Sequence, residues 1–232
     1  MRNVVENVKL PKLEGKEIAY LTPDEQHTLL AALPDNTQGR AIRFILGSGL
    51  RASELCGLRW SDIDEDSFTI RKGAQYVKEA SGKTQKLVLA PPKTRAGKRT
   101  IPLTSVMLEL LDQQRKAQIA ARLAAGIEWQ GGTPGEKNTP VFATEVGTVY
   151  DRTNLDRTLR ICLKKAGLPS RGLHALRHTF ATNWVRSGAD LRTLAEIIGH
   201  TNVAFTMQQY VHSDMTTKRA GMLAVEQGQK QA

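Results

Sequence analysis

The sequence is notable first for what it has little of. Its 232 residues include only two cysteines, Cys56 and Cys162, far apart and outside any CxxC spacing. That excludes a disulfide framework and a cysteine zinc site. No apolar run approaches the ~20 residues that a membrane span needs. The first ten residues are polar and lack the apolar stretch of a secretory signal, so a reducing cytoplasm is the expected compartment. No internal repeat is visible. Hydrophobic residues make up 40% and charged residues 24%, which excludes wholesale disorder. The length suits one domain, or one large and one small, with room for a core.

Acidic residues are also scarce: 23 Asp and Glu face 33 Lys and Arg, a formal net charge of +10. The excess is concentrated. Residues 71–102 hold nine basic side chains against Glu79, and residues 150–186 hold eight against Asp151 and Asp156. The remainder of the chain is net negative. Two basic stretches in a mildly acidic chain point to a polyanion. Neither reads as a basic amphipathic helix with bulky apolar anchors, so nucleic acid is favoured over a membrane surface.

Hydrophobic spacing and capping signals predict a mainly α fold (α+β) with a small three-stranded antiparallel sheet. Thr22-Pro23-Asp24-Glu25 reads as an N-cap, a Pro at N1 and a Glu at N3, followed by Leu29, Leu30 and Leu33. Further helices are expected over residues 39–47 and 52–58, and from Thr104 to about Ala125. Others are expected over 154–167, 174–187 and 191–198, the last closed by Gly199. Strands are expected at Phe68–Ile70, Lys86–Leu89 and Arg99–Leu103, with Thr94–Gly97 as the turn between the last two. The Gly- and Pro-rich residues 126–140 read as a loop.

Five groups of ionisable or nucleophilic residues fall at element ends or on loops: Arg51 with Glu54, Lys93, His174 with Arg177, His200, and Tyr210. Singly, each has an ordinary structural explanation. Together they make a phosphoryl-transfer set. Two guanidinium forks can clamp phosphate oxygens bidentately, and electrostatic stabilisation is the main thing a protein supplies to that chemistry. Histidines can donate hydrogen bonds or move protons near neutral pH. A lysine can protonate a leaving alkoxide, and a tyrosine hydroxyl can form a covalent phosphoester. No magnesium-binding carboxylate cluster and no GK[ST] phosphate loop accompanies them, so the expected reaction uses neither metal nor ATP and no cofactor.

The segment from Gly49 to Trp60 (GLRASELCGLRW) closely resembles the first arginine box of the tyrosine recombinases, the phage integrase family. His174-Ala175-Leu176-Arg177 is similar to that family's HxxR box, and Ile198-Gly199-His200 with Tyr210 to its terminal box. Pro92-Lys93-Thr94 ahead of Arg99-Thr100-Ile101-Pro102-Leu103 resembles the hairpin that bears its catalytic lysine. The likeness runs from about Leu21 to His212. It implies a helical catalytic domain in which Tyr210 attacks a DNA phosphate, leaving a 3′-phosphotyrosyl link and a free 5′-hydroxyl. Arg51, Arg177 and His200 would bind the scissile phosphate, His174 would assist proton movement and Lys93 would be the general acid. Glu54 would support the first arginine. Lys98 lies on the same hairpin and could compete with Lys93. For Lys98 and Arg99 the preferred reading is contact with the phosphate backbone, and Arg95 and Arg192 are further DNA-binding candidates.

The resemblance further implies double-stranded DNA as partner and a chain that is monomeric in solution and a homotetramer on DNA. It also allows for accessory DNA-bending proteins and a phage or mobile-element setting. Residues 1–20 read as a linker or the tail of a missing core-binding domain, 21–213 as the catalytic domain, and 214–232 as a tail exchanged between protomers. Two other functions are compatible with these motifs. One is type IB topoisomerase-like nicking and resealing. The other is a non-catalytic regulator using the helix-turn-helix-like pair at 174–187 and 191–198, joined by the turn at 188–190. A zinc site at His174 and His178 would rest on i, i+4 spacing alone, without the other residues of an HExxH site.

Overall fold

A computed structural model describes residues 19–78, 85–132 and 139–200, together with 204, 219, 222, 223 and 226. Among residues 19–200 as described, seven α-helices and four strands are laid out. Helix α1 (Pro23–Ala32) starts on the expected capping box: the Thr22 hydroxyl accepts from the Glu25 amide, and Glu25 reaches back to the Thr22 amide at 2.8 Å. Asn36 caps α2 (Thr37–Ser48), whose C-terminal cap is Gly49 in the left-handed region at φ 66°. A Cβ at Gly49 would lie 2.5 Å from the Phe180 ring, so this position needs glycine for both its backbone and its neighbour. The turn delivers the chain directly into Arg51 and the short helix α3 (Ala52–Gly57).

Helix α2 is the hub. Phe44, Ile42 and Ile45 are fully buried, and α2 packs against α4 (Ser105–Ala125), α5 (Arg152–Lys165) and α6 (Leu173–Arg186). The Phe44 ring lies 5.4 Å from Phe68 and 5.5 Å from Phe142, both tilted, a geometry that aromatic quadrupoles favour. Gln114 and Gln118 on α4 are buried but satisfied: Arg40 Nε donates to Gln114 at 2.9 Å and Trp60 Nε1 to Gln118 at 2.7 Å. Asp190 caps α7 (Leu191–Ile198), and Gly199, at φ 66°, ends it immediately before His200.

The β structure differs from expectation. Instead of one three-stranded sheet there are two antiparallel pairs. Strand β1 (Ser67–Ile70) pairs with β4 (Arg99–Pro102), with Ile70 opposite Arg99. Strand β2 (Gly73–Lys78) pairs with β3 (Gln85–Ala90). Residues 73–78 carry no strand signal in the sequence, because Gly-Ala-Gln-Tyr-Val-Lys lacks the β-branched run that marks a strand. The strand at 86–89, expected to pair with 99–103, therefore pairs with β2 instead. Helix α3 abuts β2, and a Cβ on Gly57 would stand 2.7 Å from the Lys72 carbonyl oxygen.

Candidate active site

Four of the expected residues come from distant parts of the chain to one edge of the helical bundle. Arg51 stands at the start of α3, His174 in the first turn of α6 and Arg177 in its second, and His200 just past α7. Arg51 is about two-fifths exposed along its side chain (38%). It lines two clefts. One, of about 350 Å³, is lined by Arg51, Ser53, Glu54, Lys93, Thr94 and Gly199 among others. The second, of about 440 Å³, is bounded by Arg51, Ser53, Arg152, Asp156 and His174. Lys93 is exposed in the loop that follows β3 and faces the first cleft. Tyr210 lies outside the described residues, as does the Arg95 side chain.

Glu54 is the buried hinge of this edge, 6% exposed. Its Oε1 accepts from Arg51 Nη1 at 2.8 Å and from Arg99 Nη1 at 3.0 Å. Its Oε2 accepts from the Arg51 amide at 3.0 Å and from Arg99 Nη2 at 2.9 Å. Burial alone would raise the carboxyl, but the Arg99 fork and then Arg51 outweigh it and hold Glu54 below the usual carboxylate range.

Arg99 corrects an expectation. Read from sequence as a phosphate-backbone contact, it is turned inward with its side chain only 7% exposed. It chelates Glu54 and donates to the carbonyls of Ile197 and Gly97. The signal was present in the alternation of β4: Ile101 is 3% exposed, and a strand's period of two puts Arg99 on the same buried face. Lys98, just before the strand, is exposed. Arg192 is exposed on α7, 3.6 Å from Glu196 one turn on.

Arg177 is 1% exposed. Its Nη1 donates to the Gly49 carbonyl at 2.9 Å and its Nη2 to that of Ile198, so it ties the end of α2 to the end of α7. His174 reaches the surface, and its ring meets His178 edge-on, with centroids 4.4 Å apart. In the sequence, His178 stands out only through its i, i+4 spacing from His174. Among the described residues no group of three or more His, Cys, Asp or Glu could hold a metal ion. Burial, then His174 and Arg177, push His178 down to about 4. His200 is likewise pushed down to about 4, by burial and then by Arg177, Arg51 and Arg99. His174 is lowered by partial desolvation, Arg177 and Arg51. At neutral pH the site therefore carries guanidinium charge next to neutral imidazoles, a field that favours an incoming anion. Cys56, on α3 two residues after Glu54, is buried, and burial raises its thiol to about 12.

Comparison with known proteins matches this arrangement to one family. The phage integrase family matches residues 19–217 of the chain. The tyrosine recombinase XerC-like protein of Caldanaerobacter subterraneus subsp. tengcongensis is 33% identical over 201 residues, which are 84% of this chain and 51% of that protein. The transposase from transposon Tn916 of Enterococcus faecalis is 27% identical over an alignment of 247 residues, spanning 100% of this chain and 55% of the relative. The structure of the Tn1549 transposon integrase (residues 82–397), in complex with circular intermediate DNA, is similar at a TM-score of 0.69 and 26% identity. That match covers 91% of this chain and 68% of that one. The chain thus spans about half the length of the curated relatives it matches. With the arginine, HxxR and histidine boxes gathered at one edge and the family matched across most of its length, this chain belongs to the phage integrase family, the tyrosine recombinases.

Proposed function

We propose that this chain is the catalytic part of a site-specific DNA recombinase that breaks and rejoins double-stranded DNA without metal or ATP, serving a mobile element or phage. The observation that carries this reading is the convergence of Arg51, His174, Arg177 and His200 on one edge, with Lys93 across a cleft that Arg51 also lines. Residues 21–213 form the catalytic unit, and the compartment is the cytoplasm.

In the reaction the Tyr210 hydroxyl loses its proton and attacks the scissile phosphorus. A 3′-phosphotyrosyl bond forms and the bond to the 5′-oxygen breaks, that oxygen taking a proton from Lys93. Arg51 presents its guanidinium to a non-bridging oxygen, and His200 donates a hydrogen bond to the same phosphate. Arg177, buried behind them, adds charge and fixes the main chain at Gly49 and Ile198. His174, neutral at pH 7, exchanges the tyrosine's proton. Attack by the 5′-hydroxyl of another strand reverses the step, so the bond energy is conserved. Exchange of two duplexes needs four protomers, a homotetramer on DNA formed from a monomer in solution, with DNA-bending proteins assisting where the site demands it.

The test is capture of a denaturant-resistant protein–DNA adduct on a nicked duplex carrying the ends of the element, using the full-length protein. An adduct that Tyr210→Phe abolishes supports the reading; a full-length protein that forms none overturns it. Relaxation of supercoils without exchange between two marked duplexes would move the assignment to a topoisomerase.

A further inference from the structure

We propose that Arg99 is a positioning residue that keeps Arg51 available to phosphate by occupying the carboxylate that would otherwise chelate it. The inference rests on the assignment of Arg51 as a phosphate ligand and adds a group that never touches DNA.

Glu54 accepts four hydrogen bonds, which fill the lone-pair sites of its two oxygens. Arg99 supplies two of them, one to each oxygen, in the parallel fork geometry that is the strongest a carboxylate can accept. Arg51 supplies its main-chain amide and a single side-chain nitrogen. Arg51's other terminal nitrogen is only 3.4 Å from the Gly199 carbonyl, at the limit of a hydrogen bond. The division of labour is therefore uneven. The buried arginine (7% exposed) takes the bidentate share, and the exposed one (38%) keeps most of its fork for a ligand.

The charges divide in the same way. Glu54 is too buried to be neutralised by solvent. With a single guanidinium as partner, that guanidinium would be consumed in an ion pair and would present almost no net charge to the cleft. With two, the trio is net positive, and the surplus sits on the side chain that faces the cleft. Arg99 is locked in this role by the carbonyls of Ile197 and Gly97 and by the missing side chain of Gly199. A Cβ there would stand 3.0 Å from Arg99 Nη1 and 3.1 Å from its Cζ. The contacts with Ile197 and Gly199 tie the segment that bears Lys93 to the turn that bears His200.

The test measures binding of the 232-residue chain to a fluorescein-labelled, mixed-sequence duplex across a salt series. One phosphate contact contributes ~0.9 to the slope of log affinity against log salt. Arg51→Ala is expected to lower the slope by that amount. Arg99→Met is expected to lower it equally although Arg99 is buried, because Glu54 then chelates Arg51. The double variant Arg51→Ala/Arg99→Met should lose no more than either alone. The decisive variant is Arg99→Met/Glu54→Gln, which should regain the wild-type slope, since a neutral amide leaves Arg51 its fork. A merely architectural Arg99 would give a double variant as impaired as Arg99→Met. If Arg99→Met does not fold, as circular dichroism would reveal, the double variant still decides, because it buries no unmatched charge. A folded Arg99→Met/Glu54→Gln with the reduced slope overturns the inference. An unchanged slope in Arg51→Ala overturns the phosphate-ligand assignment itself, and the inference with it.

Discussion

The two strand pairs are alike in topology and opposite in anchoring. In β1–β4, Phe68, Ile70 and Ile101 are 0%, 1% and 3% exposed, and the pair is set into the aromatic core. In β2–β3 the buried side chain among the described residues is Ala74, while Tyr76 and Val77 are 42% and 46% exposed. The first pair carries Arg99, whose work depends on holding a fork against Glu54 within a few tenths of an ångström. The second leads into the loop with Lys93, a point charge on a flexible stem that needs reach more than orientation. Burial has been placed where angular accuracy is needed and withheld where latitude suffices, since local opening is cheapest where few apolar contacts resist it.

The sharpest way to break that contrast is to hollow out the anchored pair. Phe68→Ala removes a ring packed on Phe44 and should cost about 3–5 kcal/mol in a urea unfolding series. Val77→Ala on the exposed pair should stay within about 0.5 kcal/mol. A similar cost for both would mean that the two pairs are anchored alike.

Acid comes next. His178 and His200 are each held at about 4 in the folded chain, against an ordinary value of 6.5. The unfolded chain therefore binds more protons across that window. The stability that the neutral imidazoles confer is intact above about 6.5 and is lost as the pH falls toward about 4. Thermal unfolding midpoints measured over that range should fall, and His178→Asn should flatten the fall; a flat profile in the wild type would remove the buried-histidine side of the picture.

A third and smaller effect is expected from Gly199→Ala. Its positive φ strains any L side chain, and the added Cβ would press on Arg99 and on the Ala96 carbonyl. A loss of about 1–3 kcal/mol is expected from the backbone alone. A shallower salt slope for DNA binding should accompany it, as the push is transmitted through Arg99 to Glu54. Loss of stability with an unchanged slope would confine Gly199 to a backbone role.

Much of this was legible in the residues and some was not, for physical reasons. Helix ends announce themselves through caps such as Thr22, Asp190 and Gly199, because orphan backbone groups accept only a few solutions. Arg51, His174 and His200 could be singled out from sequence because each sits at or beside such an end, and Arg177 by its spacing from His174. Strand pairing was not legible, since the partner of Lys86–Leu89 is fixed by packing of Ala74 beneath α3 and not by any pattern of its own. The inward turn of Arg99 lay between these cases. Parity with Ile101 pointed inward, but a basic residue on a basic hairpin pointed to DNA. Only the position of Glu54 beneath it separates the two readings.

Cys56 gives α3 a built-in stopwatch. Its thiol, at about 12 and 1% exposed, is neither ionised nor reachable at neutral pH, so alkylating reagents can modify it only when the helix that follows Arg51 lifts away. In a chain whose other thiol, Cys162, has been replaced by serine, the labelling rate counts those departures. Any ligand that settles against Arg51 will slow the clock without needing to be seen.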